Sequence, residues 1–429
     1  MIKVCDAIMG SGKSSAAITY MNENPDKKYI YITPYLEEAA RIKSACPDLD
    51  FYLPPKVDSN KKAFSKTATT LAAIRDGRNI ASTHQCFLFY TPEIAEAIRA
   101  GGYTLLADEV VDSLQLVDDK IVSKGDLALL MKSDILERQE DESYVLTDKA
   151  DDYTGKAFQM LFRILASRHL IHQEHELNAE EGFYFWVLSE ELIRSFADVI
   201  VMTYMFDCSH MKLTLDIEGI PYENIYVSKT SGDEYSPSQY HFIDTPSYVP
   251  PYVKNLPELI SICDYDGFYD VGKKYNNLSF TWQQRSATPN SPMDFLRRNL
   301  INYFRVIEKV PSNRRMWTCF NHAIPKLKGD GYASRHVAFN KRATNVYSNA
   351  DVLAYAANVF ANPAVIRYYK NNGVHFDQDR YALSTMIQWI WRSAIRDGKP
   401  IHIYIPSKRM RDLLTGWIEE TSRMGVSET

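Results

Sequence analysis

Short apolar runs alternate with amphipathic stretches along the first part of the chain. The runs at residues 2–5, 28–34, 78–84 and 103–109 each have the length of a strand. The stretches YLEEAARIKSAC and PEIAEAIRAG between them have the spacing of helices with one buried face. A further apolar run follows at residues 197–206. Because strands that alternate with helices are joined by right-handed crossovers, this pattern predicts a parallel sheet covered on both faces.

Two other parts of the chain have different patterns. From about residue 113 to 190, long charged stretches such as KAFQMLFRILASRHLIHQEHEL predict a helical insertion. The proline- and tyrosine-rich residues 244–258 predict an irregular connection near a domain boundary. Beyond them the alternation resumes with RRMWTCFN, the helix-like DVLAYAANVFA and YALSTMIQWIWRSAIRDG, and a strand at residues 400–406. We therefore expect an α/β protein with two parallel-sheet domains, residues 1–215 (containing the helical insertion) and residues 216–429.

Length and composition agree with two domains and indicate a cytoplasmic globular protein. At 429 residues the chain can form two cores, and 45% hydrophobic with 24% charged residues is ordinary for a globular protein. No apolar run approaches the roughly 20 residues that cross a membrane. The six cysteines stand singly, without a C-x-x-C pair, which favours reduced thiols in a cytoplasm over a zinc site. With a net charge of −5, any bound nucleic acid must be held by a local groove.

The segment CDAIMGSGKSS, residues 5–15, carries the first candidate site. The phosphate-loop pattern is Gly, four residues, then Gly-Lys-Ser/Thr, and here only the first glycine is replaced, by Ala7. A strand before and a helix after provide the setting in which backbone N–H groups face an anion. The predicted nucleotide ligands are Gly10, Ser11, Gly12, Lys13, Ser14 and Ser15. Lys13 would reach the β- and γ-phosphates of ATP, and the Ser14 hydroxyl would bind Mg²⁺.

Polar residues follow several of the predicted strands. Asp108 and Glu109 come directly after an apolar run, where Asp108 would bind Mg²⁺ and Glu109 would polarise the attacking water. Thr33 and Thr83 end two other runs. Ligands of parallel sheets lie at such strand ends, but a threonine there is equally expected to cap the next helix.

A late helix-like stretch, TMIQWIWRSAIRDG, carries a second candidate group. Gln388, Arg392 and Arg396 are four residues apart, so a continuous helix would place them on one face. Two arginines and a glutamine presented together suit a γ-phosphate. The alternative is an ordinary surface helix with Trp389 and Trp391 facing inward.

Several motifs follow one another along the chain: the phosphate loop, the Thr-Pro and Thr-His strand ends, the Asp-Glu pair, VIVMTYMFDCS and the late glutamine–arginine stretch. In this order they resemble the motifs of a superfamily 2 helicase. More narrowly, FNKRATNVYSNADVLAYAANVFANP and QWIWRSAIRDGKPI resemble the divergent DEAD-like helicase ATPases encoded by tailed bacteriophages. The resemblance implies two RecA-like domains that sandwich ATP, with the loop and the Asp-Glu pair on the first domain and the arginines on the second.

The resemblance also implies roles for individual residues. Thr203 matches the coupling motif after the fourth strand, and Thr344 with Asn345 matches the second domain's motif near the cleft. Gln388, Arg392 and Arg396 match the final arginine motif, although Trp391 replaces its glycine and the second arginine stands one position late. The implied protein uses ATP and Mg²⁺ to translocate on or unwind nucleic acid, most simply single-stranded or forked DNA, in phage replication or recombination. It would act in the host cytoplasm with phage or host replication proteins.

Two other classes of protein share some of these features. A large-terminase-type DNA-packaging ATPase has the same loop and Asp-Glu pair but ends in a nuclease. ICDYDGFYDVG offers Asp264, Asp266 and Asp270 as a metal cluster for it, or simply a solvated loop. A small-molecule phosphotransferase or nucleotide-switched binding protein would also carry the loop, but would not need the second alternating half of the chain.

Overall fold

The computed structural model describes residues 1–55, 64–117, 123–140, 143–155, 158–175, 178–232, 239–265, 267–339 and 345–424. The chain divides into two compact units. Unit 1 comprises Met1–Ile8, Gly12–Tyr248 and Pro363–Phe376, and unit 2 comprises Met9–Ser11, Val249–Asn362 and Asp377–Thr429. The main passage from unit 1 to unit 2, between Tyr248 and Val249, falls within residues 244–258 and lies beyond the domain boundary expected after residue 215.

Strands and helices alternate as far as Asp108, in agreement with the apolar pattern. They are β1 (Ile2–Asp6), α1 (Lys13–Glu23), β2 (Lys28–Thr33), α2 (Leu36–Ala45), α3 (Phe64–Arg75), β3 (Ile80–Thr83), α4 (His84–Phe87), α5 (Pro92–Gly101) and β4 (Tyr103–Asp108). Successive residues of β2 enter opposite cores, Ile30 and Ile32 on one face of the sheet and Tyr29 and Tyr31 on the other. The strands are therefore nearly all apolar, because both faces of the sheet are covered.

The predicted helical insertion is mainly a five-stranded antiparallel sheet. Its elements, followed by the next helix, are β5 (Leu114–Leu116), α6 (Lys124–Lys132), β6 (Leu136–Arg138), β7 (Ser143–Leu146), α7 (Gln159–Leu165), β8 (Arg168–His175), β9 (Asn178–Leu188) and α8 (Glu190–Arg194). The strand order is β5-β9-β8-β7-β6.

The prediction of one long helix here was wrong because the period of the sequence changes within the stretch. Its first part forms α7, but from Arg168 the side chains alternate, with Arg168 and Leu170 buried and His169 exposed. That is the two-residue period of a strand. The partner strand β9 ends in aromatic and aliphatic residues that favour strands.

After the insertion the chain returns to the first sheet. The elements are β10 (Asp198–Thr203), α9 (His210–Ile217), β11 (Tyr222–Asn224), β12 (Tyr226–Thr230) and β13 (Gln239–Ile243). The sheet has the order β11-β1-β10-β4-β2-β3, and all its pairs are parallel. Strands β12 and β13 form a separate antiparallel ribbon.

A second parallel sheet, in the order β14-β17-β16-β15, forms the centre of unit 2. The remaining elements are α10 (Leu256–Leu259), β14 (Ile260–Ile262), α11 (Phe280–Gln283), α12 (Pro292–Asn302), β15 (Arg315–Thr318), α13 (Ile324–Leu327), β16 (Val352–Tyr355), α14 (Pro363–Asn371), α15 (Gln378–Ile390), β17 (Ile401–Tyr404) and α16 (Lys408–Met424). Helix α14 belongs to unit 1.

The expected α/β fold with two parallel sheets is confirmed, with one exchange of element type in unit 2. DVLAYAANVFA was expected to be helical, yet its first apolar residues form β16. Strand β16 lies between β15 and β17 and is buried along its whole length. A short continuous apolar run in such a place cannot be distinguished from a buried helix by its periodicity.

Candidate nucleotide-binding site

The phosphate loop joins the end of β1 to the start of α1. Gly10 and Gly12 have φ angles of 76° and 88°, in the left-handed region that favours glycine. A Cβ added at Gly12 would overlap the ring carbons of Tyr240. The second glycine of the motif is therefore required both by its backbone angle and by a close neighbour.

Lys13 turns its side chain back into the loop. Its Nζ donates to the carbonyl of Ala7 and, at 3.1 Å, to that of Ile8. Burial lowers the pKa of the Lys13 amine, although the negative charges of Asp108 and Glu109 act in the opposite direction. The loop thus holds a partly desolvated cation at the position where the motif places its phosphate-binding lysine.

Ser14 and Asp108 lie side by side, although 94 residues separate them. The Ser14 Oγ donates to the Asp108 Oδ2 over 3.4 Å. The pKa of the Asp108 carboxyl is raised to about 7, mainly by burial and in addition by the charges of Glu109 and Glu38. A hydroxyl and a carboxylate are oxygen ligands of the kind that Mg²⁺ prefers, so this pair fits the ion expected from the sequence.

The hydroxyl of Ser11, in the same loop, is a second sign of a polar ligand. The residue is only 2% exposed, and its Oγ has no hydrogen-bond partner among the described residues. Buried hydroxyls ordinarily have a partner. The loop therefore offers a donor suited to an anion.

Glu109 has a backbone conformation that is rare for its residue type. Its φ angle is 67°, and its N–H donates to the carbonyl of Met202 over 2.8 Å. Left-handed angles in residues other than glycine are uncommon and cluster at functional sites. The conformation agrees with the role predicted for Glu109, which stays a prediction.

Polar residues end the strands of the first sheet, five of them on β1 to β4 and β10. They are Asp6 on β1, Thr33 on β2, Thr83 on β3, Asp108 on β4 and Thr203 on β10. In the register of the sheet, Asp6 is opposite Thr203 and Thr33 is opposite Thr83. Because all the strands are parallel, these residues share the carboxyl edge of the sheet, where ligands of such folds bind.

The three threonines differ in their surroundings. Thr83 caps α4, its Oγ1 accepting from the N–H of Cys86 over 3.3 Å, as the capping alternative predicted. Thr33 is fully buried, and its Oγ1 has no partner within the part of the chain that the structure describes. Thr203 is also buried, and its carbonyl accepts from the N–H of Ala7 at the start of the loop.

Sequence reasoning missed Asp6. Its two carboxylate oxygens accept from the backbone N–H groups of Met205 and Phe206, over 2.8 and 2.9 Å. Met205 has a φ angle of 59°, so these bonds hold a left-handed turn directly after Thr203. The available signal was a lone carboxylate that closes an apolar strand immediately before the phosphate loop.

The expectation that Gln388, Arg392 and Arg396 share one helical face was wrong. Helix α15 ends at Ile390, Ser393 is extended, and its hydroxyl donates to the Ile390 carbonyl over 2.6 Å. A serine that bonds the preceding turn in this way competes with helix continuation. Only Gln388 lies in the helix, where its Nε2 donates to the Ser384 Oγ over 3.4 Å.

The two arginines occupy different environments. Arg392 is buried, and its guanidinium donates to the carbonyls of Ala338 and Phe339 over 3.0 and 3.4 Å. Arg396 is exposed in the 3₁₀ turn Ala394–Asp397. Of the other second-domain residues, Thr344 lies outside the described residues, and Asn345 begins the 3₁₀ turn Asn345–Tyr347.

Of the three aspartates proposed as a nuclease metal cluster, the structure describes Asp264 and Asp270. Asp266 lies outside the described residues, and exposed Asp270 forms an ion pair with Lys273 at 2.5 Å. Across the described ranges, no three or more His, Cys, Asp or Glu side chains are grouped to hold a metal ion. Among the helices described, none is long and apolar enough to span a membrane.

Comparison with known proteins gives a full-length relative and several structural neighbours. The chain is 34% identical over 421 residues to the SPbeta prophage-derived uncharacterized protein YonV of Bacillus subtilis (strain 168), covering 97% of this chain and 98% of that protein. Residues 254–418 match the family described as the YonV C-terminal Rossmann-like domain. The prophage origin of this relative agrees with the phage type of protein expected from the sequence.

Two solved structures are similar to the chain at low sequence identity. One, "XPD_Helicase", has a TM-score of 0.47 and 10% identity, covering 99% of this chain and 95% of its own. The other, "XPD_APO", has a TM-score of 0.48 and 12% identity, covering 98% and 95%.

Proposed function

The chain belongs to the family of the prophage protein YonV, and we propose that it is a nucleic-acid-dependent ATP hydrolase of the helicase or translocase type. The observation that carries the proposal is the contact between Ser14 and Asp108, at 3.4 Å, beside a loop into which Lys13 is folded. These are the residue types that nucleotide hydrolases of the phosphate-loop class use to bind phosphates and magnesium.

Each residue of the loop has a separate task in this proposal. Lys13 and the backbone N–H groups of residues 10–15 bind the β- and γ-phosphates of ATP. Ser14 and Asp108 are the residues that would hold Mg²⁺, which when bound neutralises charge on the phosphates. Glu109 accepts a proton from the attacking water and orients it, since it follows Asp108 at the same sheet edge.

The strand-end residues supply the coupling to nucleic acid. Asp6 fixes the turn that follows Thr203, and the Thr203 carbonyl contacts Ala7 at the start of the loop. A change in the loop during hydrolysis is therefore transmitted to that turn. Half-buried Thr83 is the proposed contact to the backbone of single-stranded or forked DNA, and the buried Thr33 and Thr203 are proposed coupling residues behind it.

In unit 2, Arg392 and Arg396 both remain proposed phosphate contacts: the Arg392 guanidinium donates to two carbonyls, and Arg396 is exposed. Thr344, Asn345 and Gln388 remain proposed members of the same machinery. The prophage origin of the relative supports a role in phage DNA replication or recombination, in the host cytoplasm and with phage or host replication proteins.

The test measures ATP hydrolysis with Mg²⁺ alone and with added single-stranded DNA, duplex DNA or RNA. We expect at least one nucleic acid to raise turnover clearly above the basal rate. Hydrolysis that no nucleic acid changes would contradict the proposal. If the protein is instead a DNA-packaging ATPase of the large-terminase type, it should cleave DNA with Mg²⁺ or Mn²⁺, and Asp264→Ala should abolish that cleavage. This result would favour the packaging enzyme over the helicase.

A further inference from the structure

The ribbon of β12 and β13 packs directly on the phosphate loop. Strand β13 lies along α1, and its Tyr240 is the residue whose ring occupies the space next to the Gly12 Cα. Tyr240 and Phe242, on one face of the strand, contact the core beneath α1. The ribbon follows β11, so an aromatic side chain reaches the loop from the β11 edge of the sheet.

Two further side chains join Tyr240 there. The ring of Tyr248 lies 6.2 Å from that of Tyr240, with an angle of 72° between the planes. The Lys229 Nζ lies 5.6 Å from the centre of the Tyr240 ring and 5.8 Å from that of Tyr248. Both tyrosines are half-buried and Lys229 is exposed, so these three residues, the tyrosine pair and its lysine, form a partly open aromatic surface.

The order of the strands gives the direction in which a bound nucleotide would run. β1, which leads into the loop, lies between β11 on one side and β10 followed by β4 on the other. If Ser14 and Asp108 hold the metal, the terminal phosphates would lie on the β4 side of the loop. The base, at the opposite end of the nucleotide, would then lie on the side of β11 and the tyrosine pair.

We infer that Tyr240 and Tyr248, with Lys229, form the stacking site for the base of the nucleotide whose phosphates the loop binds. The inference rests on the proposed function. Aromatic side chains stack on bases through their faces, and a lysine over such rings adds cation–π attraction. Such a site favours a nucleoside triphosphate over a chain of phosphates alone.

The experiment compares the affinity for Mg-ATP with that for inorganic tripolyphosphate, which carries the phosphates without a base. Tyr248→Leu is the main variant, because Tyr240 also packs against Gly12. We expect the ATP affinity to fall roughly tenfold while the tripolyphosphate affinity stays unchanged. Tyr248→Phe keeps the ring and should bind ATP as the parent does.

The control is Tyr226→Leu, on the same ribbon. Tyr226 is half-buried, and because side chains alternate along β12 it points to the opposite face from Lys229. It should leave both affinities unchanged. Equal losses of ATP and tripolyphosphate binding in Tyr248→Leu, or unchanged ATP binding, would overturn the base site. Failure of the parent protein to bind tripolyphosphate would instead overturn the phosphate site.

Discussion

Replacing Asp108 by asparagine should stabilise the folded protein, by an amount that grows with pH. Burial, together with the charges of Glu109 and Glu38, raises the pKa of the Asp108 carboxyl from 3.8 to about 7, so the folded state disfavours its charge. Each unit of pKa difference corresponds to about 1.36 kcal/mol. The full cost of ionising this carboxyl in the fold is therefore about 4 kcal/mol, which asparagine does not incur.

The pH window follows from the two pKa values. Below about pH 4 the Asp108 carboxyl is protonated in both the folded and the unfolded state, so it does not lower the free energy of unfolding. Between pH 4 and 7 the unfolded chain has lost the proton while the folded chain keeps it, so the stability contributed by this group falls as pH rises. Above pH 7 the loss is complete. From pH 5 to pH 8 the advantage of Asp108→Asn over the parent should grow by about 3 kcal/mol.

The assay is urea unfolding at pH 5 and pH 8, with a chelator present and no nucleotide. Asp26→Asn is the matched control, because Asp26 is exposed and its carboxylate meets water in both states. The control should differ from the parent equally at the two pH values. A stability difference for Asp108→Asn that does not change with pH, or that shrinks as pH rises, would refute the reasoning.

Four other substitutions test the catalytic, structural and loop roles of single residues. Glu109→Gln should keep Mg-ATP affinity while turnover falls about 10²–10⁴-fold, and parallel loss of both would make Glu109 a ligand or structural residue. Arg392→Ala should lower the free energy of unfolding in urea by roughly 2–4 kcal/mol, because two carbonyls lose a charged donor. Arg396→Ala should lower it by less than about 1 kcal/mol, because Arg396 is exposed. Equal losses in the two variants would contradict this difference. Gly12→Ala should lower the free energy of unfolding by at least about 1 kcal/mol and weaken phosphate binding, because the φ angle of Gly12 is positive and Tyr240 occupies the position of an added Cβ. A variant as stable as the parent would contradict this.

The sequence predicted best those elements whose pattern is local. Strands β1 to β4 of the first sheet are short apolar runs with helices between them, and the phosphate loop is a contiguous motif, so both could be recognised without tertiary information. The Asp-Glu pair was found because it directly follows such a run. Its contact with Ser14, 94 residues away, then depends on parallel pairing that brings the strand ends to one edge.

The errors arose where the sequence is ambiguous or the interaction is distant. β8 continues a stretch that begins as α7, and β16 is an apolar run whose identity as a strand is set by its two neighbours in the sheet. Helix α15 ends at Ile390, before Arg392, and the extended Ser393 lies between Arg392 and Arg396. Asp6 and Tyr240 act on residues far away in the chain, and no local pattern reveals such partners.

The most direct test of the central claim is steady-state ATP hydrolysis by the parent protein and by Lys13→Ala, with Mg²⁺ and single-stranded DNA, duplex DNA or RNA. We expect the parent to hydrolyse ATP and Lys13→Ala to have no detectable turnover, because the variant loses the cation that compensates the phosphate charge. The variant should still show a cooperative thermal unfolding transition, although the carbonyls of Ala7 and Ile8 lose their donor. Hydrolysis by Lys13→Ala at the parental rate, or no hydrolysis by the parent with any nucleic acid, would contradict the account.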